Sequence, residues 1–365
     1  MSSKTKYPIR EILGHFRLES EVVRAAPFGD GNINDTFRVE TFDSVFLLQR
    51  INTNVFPDPE GVMNNIIRVT DHIRRKLEGK THEPDRHVLH FVQTTDGHYC
   101  YLDPDGNAWR VYHFVDRVTV CEVMTSSEQA YEAACAFAWF QNQLADFPAP
   151  RLKETIPDFH NGLKRLEAFR EAVRQDVAGR LERVVPLVDF VESRADICSR
   201  MMRLIRTGVI PERVVHNDTK INNVLFDEVT GHGICVIDLD TVMPGSALFD
   251  FGDLVRSAAA KMSESETNLA KVDFDMDRFR AIVRGYRKEA PFLTDAEWDE
   301  MVFSIHYMVF VLGMRFLTDF LNGDTYFKTK YPDHNLVRAK VQFRYLGILE
   351  CEADKMREIV RSIRP

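Results

Sequence analysis

Apolar residues recur along this chain in two periods, and the change of period divides it. Residues 7–16 carry Ile9, Ile12, Leu13 and Phe16 at helical spacing. The pattern then reads as strands over residues 21–26, 36–41 and 45–51. Over residues 58–79, Val62, Met63, Ile66, Val69, Ile73 and Leu77 return at i, i+3, i+4 spacing, which predicts a helix with a core-facing stripe. Strands are expected again over 87–94, 98–102 and 108–115, with Asp105-Gly106 turning the chain between the last two. From residue 126 onward the period is mostly helical, with Ser126 or Ser127 as a cap for a helix running to about residue 146. Further helices are predicted over 161–176, 187–206, 273–290 and 295–321, the last closed by Asn322-Gly323, and from 336 to the end. Two short apolar runs, 224–226 and 233–237, interrupt them as strands. The expected class is α+β, with a small, mostly antiparallel β part over residues 1–112 and a larger, mainly helical part over 113–365.

The bulk numbers narrow the function without deciding it. A chain of 365 residues is long enough for two lobes with a sizeable core. A net charge of −8 and a pI near 5.9 argue against binding nucleic acid, which needs concentrated positive charge. They do not argue against a nucleotide, which is bound locally with its metal. The six cysteines (Cys100, Cys121, Cys135, Cys198, Cys235 and Cys351) form no C-x-x-C pair and are expected to be reduced thiols. The twelve histidines form no H-E-x-x-H. The first residues are charged and carry no secretory pattern. No run approaches eighteen apolar residues, and 301–314, interrupted by Ser304 and His306, reads as a buried helix. These features lead to the expectation of a cytoplasmic protein with no membrane partner. Oligomeric state stays open, with a monomer the simpler expectation.

The candidate chemistry lies in HNDTKINNVLF, from His216, and in ICVIDLDT, ending at Thr241. Asp218 and Asn223 are five apart, the spacing of the Asp and Asn in the kinase loop H-R-D-x-x-x-x-N. Fifteen residues after Asn223 an apolar run delivers Asp238 to the end of a short strand. One carboxylate can take the proton of an attacking hydroxyl. An amide oxygen and a second carboxylate can hold magnesium, a hard cation that prefers oxygen. Asp240 is either a second metal ligand or a turn residue, with the turn the slightly better fit. His216 reads as a structural histidine of the loop. Asp250 and Asp253 either cap the next helix or, for Asp250, brace the catalytic loop from behind. The turn PFGDGNIND, with Gly29, Asp30 and Gly31, is either an ordinary hairpin or a phosphate-facing loop, and the kinase-like motif downstream favours the second.

HNDTKINNVL followed by IDLDTVMPGSALFDFGD resembles the catalytic segment of the aminoglycoside phosphotransferase and choline kinase superfamily. FGDGNINDTF, LLQRIN, WRVYHF, GMRFLTDFLNGDTYF and YPDHNLVR are similar to segments of the bacterial N-acetylhexosamine 1-kinases. The resemblance runs from about residue 8 past 345 and implies a protein-kinase-like two-lobed fold. It implies Asp218 as catalytic base, Asn223 and Asp238 as Mg²⁺ ligands, and ATP as co-substrate. It places Gly29, Asp30, Gly31, Gln49 and Arg50 near the phosphates, and the crossover at His113 and Val115 along the adenine. It implies a sugar pocket with Asn32, Asp218, Arg315 and Tyr326, since a guanidinium fork can grip hydroxyl or acetamido oxygens. Two departures stand out. Gln49 occupies about the place of the usual strand lysine, and strand alternation turns the neighbouring Arg50 to the opposite face. Asn32 stands where the hexosamine kinases carry histidine, which bears on sugar preference.

The function implied is ATP-dependent phosphorylation of the anomeric hydroxyl of an N-acetylhexosamine. Other acceptors on the same fold, among them another hexose, choline or an aminoglycoside, are alternatives, as is a silent nucleotide-binding protein. Lys328, Lys330 and Arg338 in the loop after residue 323 disfavour polycations. No activation segment ending in A-P-E is present, which disfavours a protein substrate.

Overall fold

The computed structural model describes residues 7–29 and 34–365. A short helix α1 (Ile9–Leu13) leads into β1 (Val22–Pro27), β2 (Asp35–Thr41) and β3 (Val45–Ile51). Helix α2 (Pro59–Leu77) follows, started by the Asp58 carboxylate, which accepts the Gly61 N–H at 2.8 Å, and by Pro59, whose missing N–H costs nothing there. Then come β4 (Phe91–Val92), β5 (Tyr101–Leu102) and β6 (Ala108–His113). The six strands form one antiparallel sheet in the order β1-β2-β3-β6-β4, with β5 also on β6. The expected strands at 87–94 and 98–102 shrink to two-residue pairs. Val88 and Leu89 bury themselves in the core beside α2 instead of extending the ladder.

After β6 the chain passes through β7 (Val118–Val120) into α3 (Ser127–Gln143), capped by Ser126 as expected. Next are α4 (Gly162–Gln175), α5 (Val185–Glu192) and α6 (Asp196–Arg206). The single helix expected over 187–206 is thus two. The Ser193 hydroxyl donates to the Phe190 carbonyl, and the Arg194 guanidinium lies 3.9 Å from the Phe190 ring centre, so local bonds compete with continuation. Short strands β8 (Arg213–Val215), β9 (Val224–Asp227), β10 (Gly233–Val236) and β11 (Met243–Gly245) carry the motif. Helices α7 (Ala247–Ala258), α8 (Met276–Glu289), α9 (Asp295–Leu321) and α10 (His334–Ile363) complete the chain. Thr294 and Glu297 start α9 with a reciprocal capping box.

The sheet has two unlike faces. Phe37, Val39, Phe46, Leu48, Trp109 and Val111 pack with α1 in a small core of their own. The opposite face, bearing Thr36, Gln49 and Arg110, looks toward the helical part, because alternate residues of a strand face opposite ways. The apolar stripe of α2 does not stay with the sheet. Val62, Met63, Ile66, Val69 and Ile73 share one continuous core with α3, α7 and α9. Residue 112 falls within β6, and α2 packs across that point. Among the described residues α9 is long and apolar enough to cross a membrane, which the apolar runs of the sequence did not suggest; its apolar window, of mean hydropathy 1.5, is 78% buried within the protein.

Candidate active site

Strand β8 delivers His216 into a loop that is held by its backbone. The Asp250 carboxylate, wholly buried on α7, accepts the N–H groups of His216 (2.8 Å) and Asn217 (2.7 Å) and the Gln141 amide (2.7 Å). Burial pushes this carboxyl up, and these donors partly offset it. Asp250 therefore braces the loop, and Ser246 is the helix cap. His216 accepts the Asp218 N–H at Nδ1 (3.2 Å) and donates from Nε2 to the Ile237 carbonyl (2.8 Å), which fixes its tautomer. It is structural, as its position suggested. Asn217 and Asp238 are both left-handed, at φ 67° and 59°. The first is held by its side chain on the Thr241 carbonyl at 3.0 Å.

These bonds bring Asp218, Asn223 and Asp238 together. The Ile237 N–H donates to the Asn223 carbonyl at 2.9 Å, so the residue before Asp238 is tied to Asn223. The Asn223 amide nitrogen donates to the Asp218 carbonyl at 2.8 Å, which leaves its side-chain oxygen without a protein partner among the described residues. Asp238 opens to solvent and Asp218 is half-buried, whereas Asn223 is buried. Burial would raise the Asp218 carboxyl, but the Lys220 ammonium, 2.8 Å away, more than offsets this and holds it low. Asp238 has no such partner among the described residues. Desolvation by the surrounding protein, then the Asp240 and Asp218 carboxylates, push it up to about 6. An uncompensated carboxylate beside a free amide oxygen fits a hard divalent cation. Among the described residues no cluster of three His, Cys, Asp or Glu side chains could hold a metal. The pair suits magnesium, which takes one or two protein ligands plus phosphate oxygens.

The roof of the cleft differs from what the motif suggested. Gln49 faces it, donating to Thr36 Oγ1 at 3.0 Å and accepting Arg110 Nε at 2.9 Å. Arg50 does not: it turns to the other face, bonds Asp35 at 2.7 Å and lies 5.5 Å from the Tyr7 ring centre. Its assignment to the phosphates is corrected, for the reason strand alternation supplies. Asp240 stands in the tight turn Leu239–Thr241, the better fitting of its two readings, and has buried partners that neither reading included. It is buried, paired with Arg110, and accepts the Asn34 amide at 2.7 Å. The His113 ring also faces away from the cleft, stacked 4.6 Å from His90, so only its backbone is available there. Val115 is buried in the main core. Gly29 enters the turn at φ 70°, and no described residue comes within 4 Å of where a Cβ would stand. Asp30, Gly31 and Asn32 lie outside the described residues.

A cluster of cations and rings adjoins the loop that carries Asp218. Arg315, on α9, lies 5.3, 5.6 and 5.4 Å from the ring centres of Phe159, Tyr326 and Phe327. Its guanidinium reaches the Tyr326 hydroxyl at 3.3 Å. His160, beside Phe159, bonds the Asn217 carbonyl at 3.0 Å and so joins this cluster to the catalytic loop. Burial lowers His160 to about 4. Arg165 donates to the Phe159 carbonyl and is itself lowered, by burial and then by Arg315. Among the described residues neither Arg165 nor Arg315 has a carboxylate partner, whereas Asp253, Asp324 and Asp333 nearby are each paired with an arginine.

Known proteins share this fold. The model of the phosphotransferase enzyme family (APH) matches residues 24–282. The chain belongs to this family. Among solved structures, an aminoglycoside phosphotransferase from Alicyclobacillus acidocaldarius is similar at 13% identity and a TM-score of 0.63, over 97% of this chain and 98% of that one. A microcompartment-associated aminopropanol kinase matches at 14% and 0.57, over 96% and 98%. A choline kinase from Cryptosporidium parvum matches at 15% and 0.56, over 97% and 98%. At these identities the likeness establishes the protein-kinase-like fold.

Several site residues of this phosphotransferase escape a reading of its sequence. Lys220 stands two residues from Asp218, but nothing in its spacing shows that it folds back. Arg110 carries a usable signal: a charge within an apolar strand, WRVYHF, needs a buried partner. His160, Arg165 and Phe159 come from a loop and helix start with no distinctive pattern, and only the fold brings them to Asn217.

Proposed function

We propose that this phosphotransferase transfers the γ-phosphoryl group of ATP to the anomeric hydroxyl of an N-acetylhexosamine, giving the sugar 1-phosphate. The observation that carries the choice of acceptor is the Arg315 cluster. An amino alcohol or aminoglycoside calls for acidic or open aromatic surfaces. Here the three rings that could form an aromatic cage already surround the protein's own guanidinium, with Arg165 beside it. That favours a neutral, oxygen-rich acceptor, whose hydroxyl and acetamido oxygens can accept from a guanidinium fork.

In this reading Asp218, held ionised by Lys220, orients the C1 hydroxyl and takes its proton. The C1 oxygen bonds to the γ-phosphorus as the bond to the β-phosphate oxygen breaks, and ADP leaves. Asn223 Oδ1 and Asp238 would hold magnesium, which would supply neutralisation of charge on the phosphates. Positioning and electrostatics carry most of the rate.

Phosphorus NMR tests it, with Mg-ATP and single acceptors: N-acetylglucosamine, N-acetylgalactosamine, glucose, galactose, choline and kanamycin. A signal coupled to an anomeric proton, absent with Asp218→Asn, is expected with the N-acetylhexosamines. Product only with choline or kanamycin would overturn the acceptor and keep the phosphotransfer. ATP binding without any product would favour a silent nucleotide-binding protein.

A further inference from the structure

A buried ion pair joins the sheet to the segment that carries Asp238. Arg110, on β6, is almost fully enclosed, and so is Asp240. The pair belongs to a closed chain of bonds. One edge of the Arg110 guanidinium is held by Gln49 Oε1, and the other lies on Asp240 Oδ1. The second oxygen of Asp240 takes the Asn34 amide at 2.7 Å, and Asn34 Oδ1 takes the Asn52 N–H at 3.0 Å. Asn52 follows β3, which bears Gln49, so the chain returns to the strand it left. On the large side the Asp240 carbonyl accepts the Thr155 hydroxyl at 3.2 Å.

Stability alone does not require this. A buried ion pair is often replaced by apolar residues without loss, because desolvating two charges offsets most of their attraction. An ion pair with saturated hydrogen bonds supplies direction, which an apolar contact does not. Asp240 lies in the tight turn Leu239–Thr241, immediately after Asp238 in its left-handed conformation. A shift of Asp240 against the sheet therefore moves the Asp238 carboxylate. Gln49, at the strand position where a cation could meet phosphates, is spent on holding Arg110. With no lysine from that position, the nucleotide depends more on its metal, and the metal on where Asp238 stands.

We propose that Arg110 is a positioning residue for the metal–nucleotide complex: through Asp240 it sets Asp238 at the height below the sheet that a divalent cation with a nucleoside diphosphate or triphosphate requires. The inference rests on the phosphotransfer reading above but not on the identity of the acceptor.

Calorimetric binding of ADP, with excess magnesium and with EDTA, tests it. The double variant Arg110→Met/Asp240→Leu removes the pair and leaves no buried charge, so its melting temperature is expected within about 5 °C of the wild type. Its affinity for MgADP is expected to fall at least about tenfold, the scale seen when partners that orient a metal ligand are removed. Affinity for ADP in EDTA is expected to change less than about threefold, a difference of under about 0.7 kcal/mol. Arg110→Lys, which keeps the charge but not the fork, is expected to fall between. Equal affinities for MgADP in variant and wild type would overturn the proposal. So would a parallel loss with and without magnesium. If the double variant does not fold, Asn34→Ala carries the same test, because it unties Asp240 without burying an unpaired charge. A selective loss of MgADP affinity supports the proposal there, and an unchanged or parallel response overturns it. Wild-type protein that binds ADP under neither condition would remove the phosphotransfer reading itself, and this proposal with it.

Discussion

Two groups of residues joined to the Asp218 loop, one around Asp238 and one around Arg315, have opposite imbalances of charge. On one side Asp238, the carboxylate that the proposed function gives to the metal, has no cation paired with it among the described residues and is pushed up by desolvation and by Asp240 and Asp218. On the other side Arg315, among the rings of Phe159, Tyr326 and Phe327, and Arg165, on the Phe159 carbonyl, have no carboxylate partner among the described residues. Other buried charges are paired, as with Arg213 and Glu297 or Arg256 and Asp253. An unpaired charge in a cleft is costly to the free protein, and a ligand of complementary character offsets that cost. Under the proposed function, that difference assigns a hard cation with phosphates to one side and an oxygen-rich acceptor to the other. Asp218 has Lys220 as its own counter-charge.

Breaking the centre has the largest expected effect. Asp218→Asn should lower kcat by about 10²–10⁴-fold, with MgATP affinity retained in a direct binding measurement. Breaking the metal end comes next. Asp238→Asn should cost about 10²–10³-fold in kcat, and a magnesium titration should show the loss partly recovered at high metal. Breaking the acceptor end is gentler. Arg315→Met should raise the acceptor KM about 10–100-fold, the worth of a charge-assisted hydrogen bond or two, while the KM for MgATP stays put. If the nucleotide KM moved as well, the two ends would not be independent.

Two smaller effects sharpen the comparison by loosening the loop that both ends share. Asp250→Asn weakens the brace on His216 and Asn217, and urea unfolding should show a loss of about 1–3 kcal/mol. The last effect is in pH. His160 is held at about 4 in the folded protein, against 6.5 for an ordinary histidine. Between those values the unfolded chain binds more protons, so stability falls as pH drops from 6.5 toward 4. The loss should reach about 1–3 kcal/mol by pH 4. His160→Gln should flatten that part of the urea-unfolding profile, and an unchanged slope would show that other groups set it.

Local pattern in the chain set the α+β class, most helices, and the grouping of Asp218, Asn223 and Asp238. Those features are local. Helical spacing, the Ser126 and Thr294 caps and the five-residue step from Asp218 to Asn223 are all written within a few turns of chain. It also indicated that Arg50 would turn from Gln49, since alternation is a property of one strand. Tertiary structure decided what depended on partners far along the chain. The turn at Asp240 is legible in the chain, but its buried partners appear only when Arg110, on β6, and Asn34 are brought to it. Asp250 was undecided between cap and brace until the fold set it against the His216 and Asn217 amides. The helix expected at 187–206 divides through local side-chain bonds that apolar periodicity does not register. Periodicity reports which face of an element is buried, whereas the partner of a buried charge is chosen by how the elements pack.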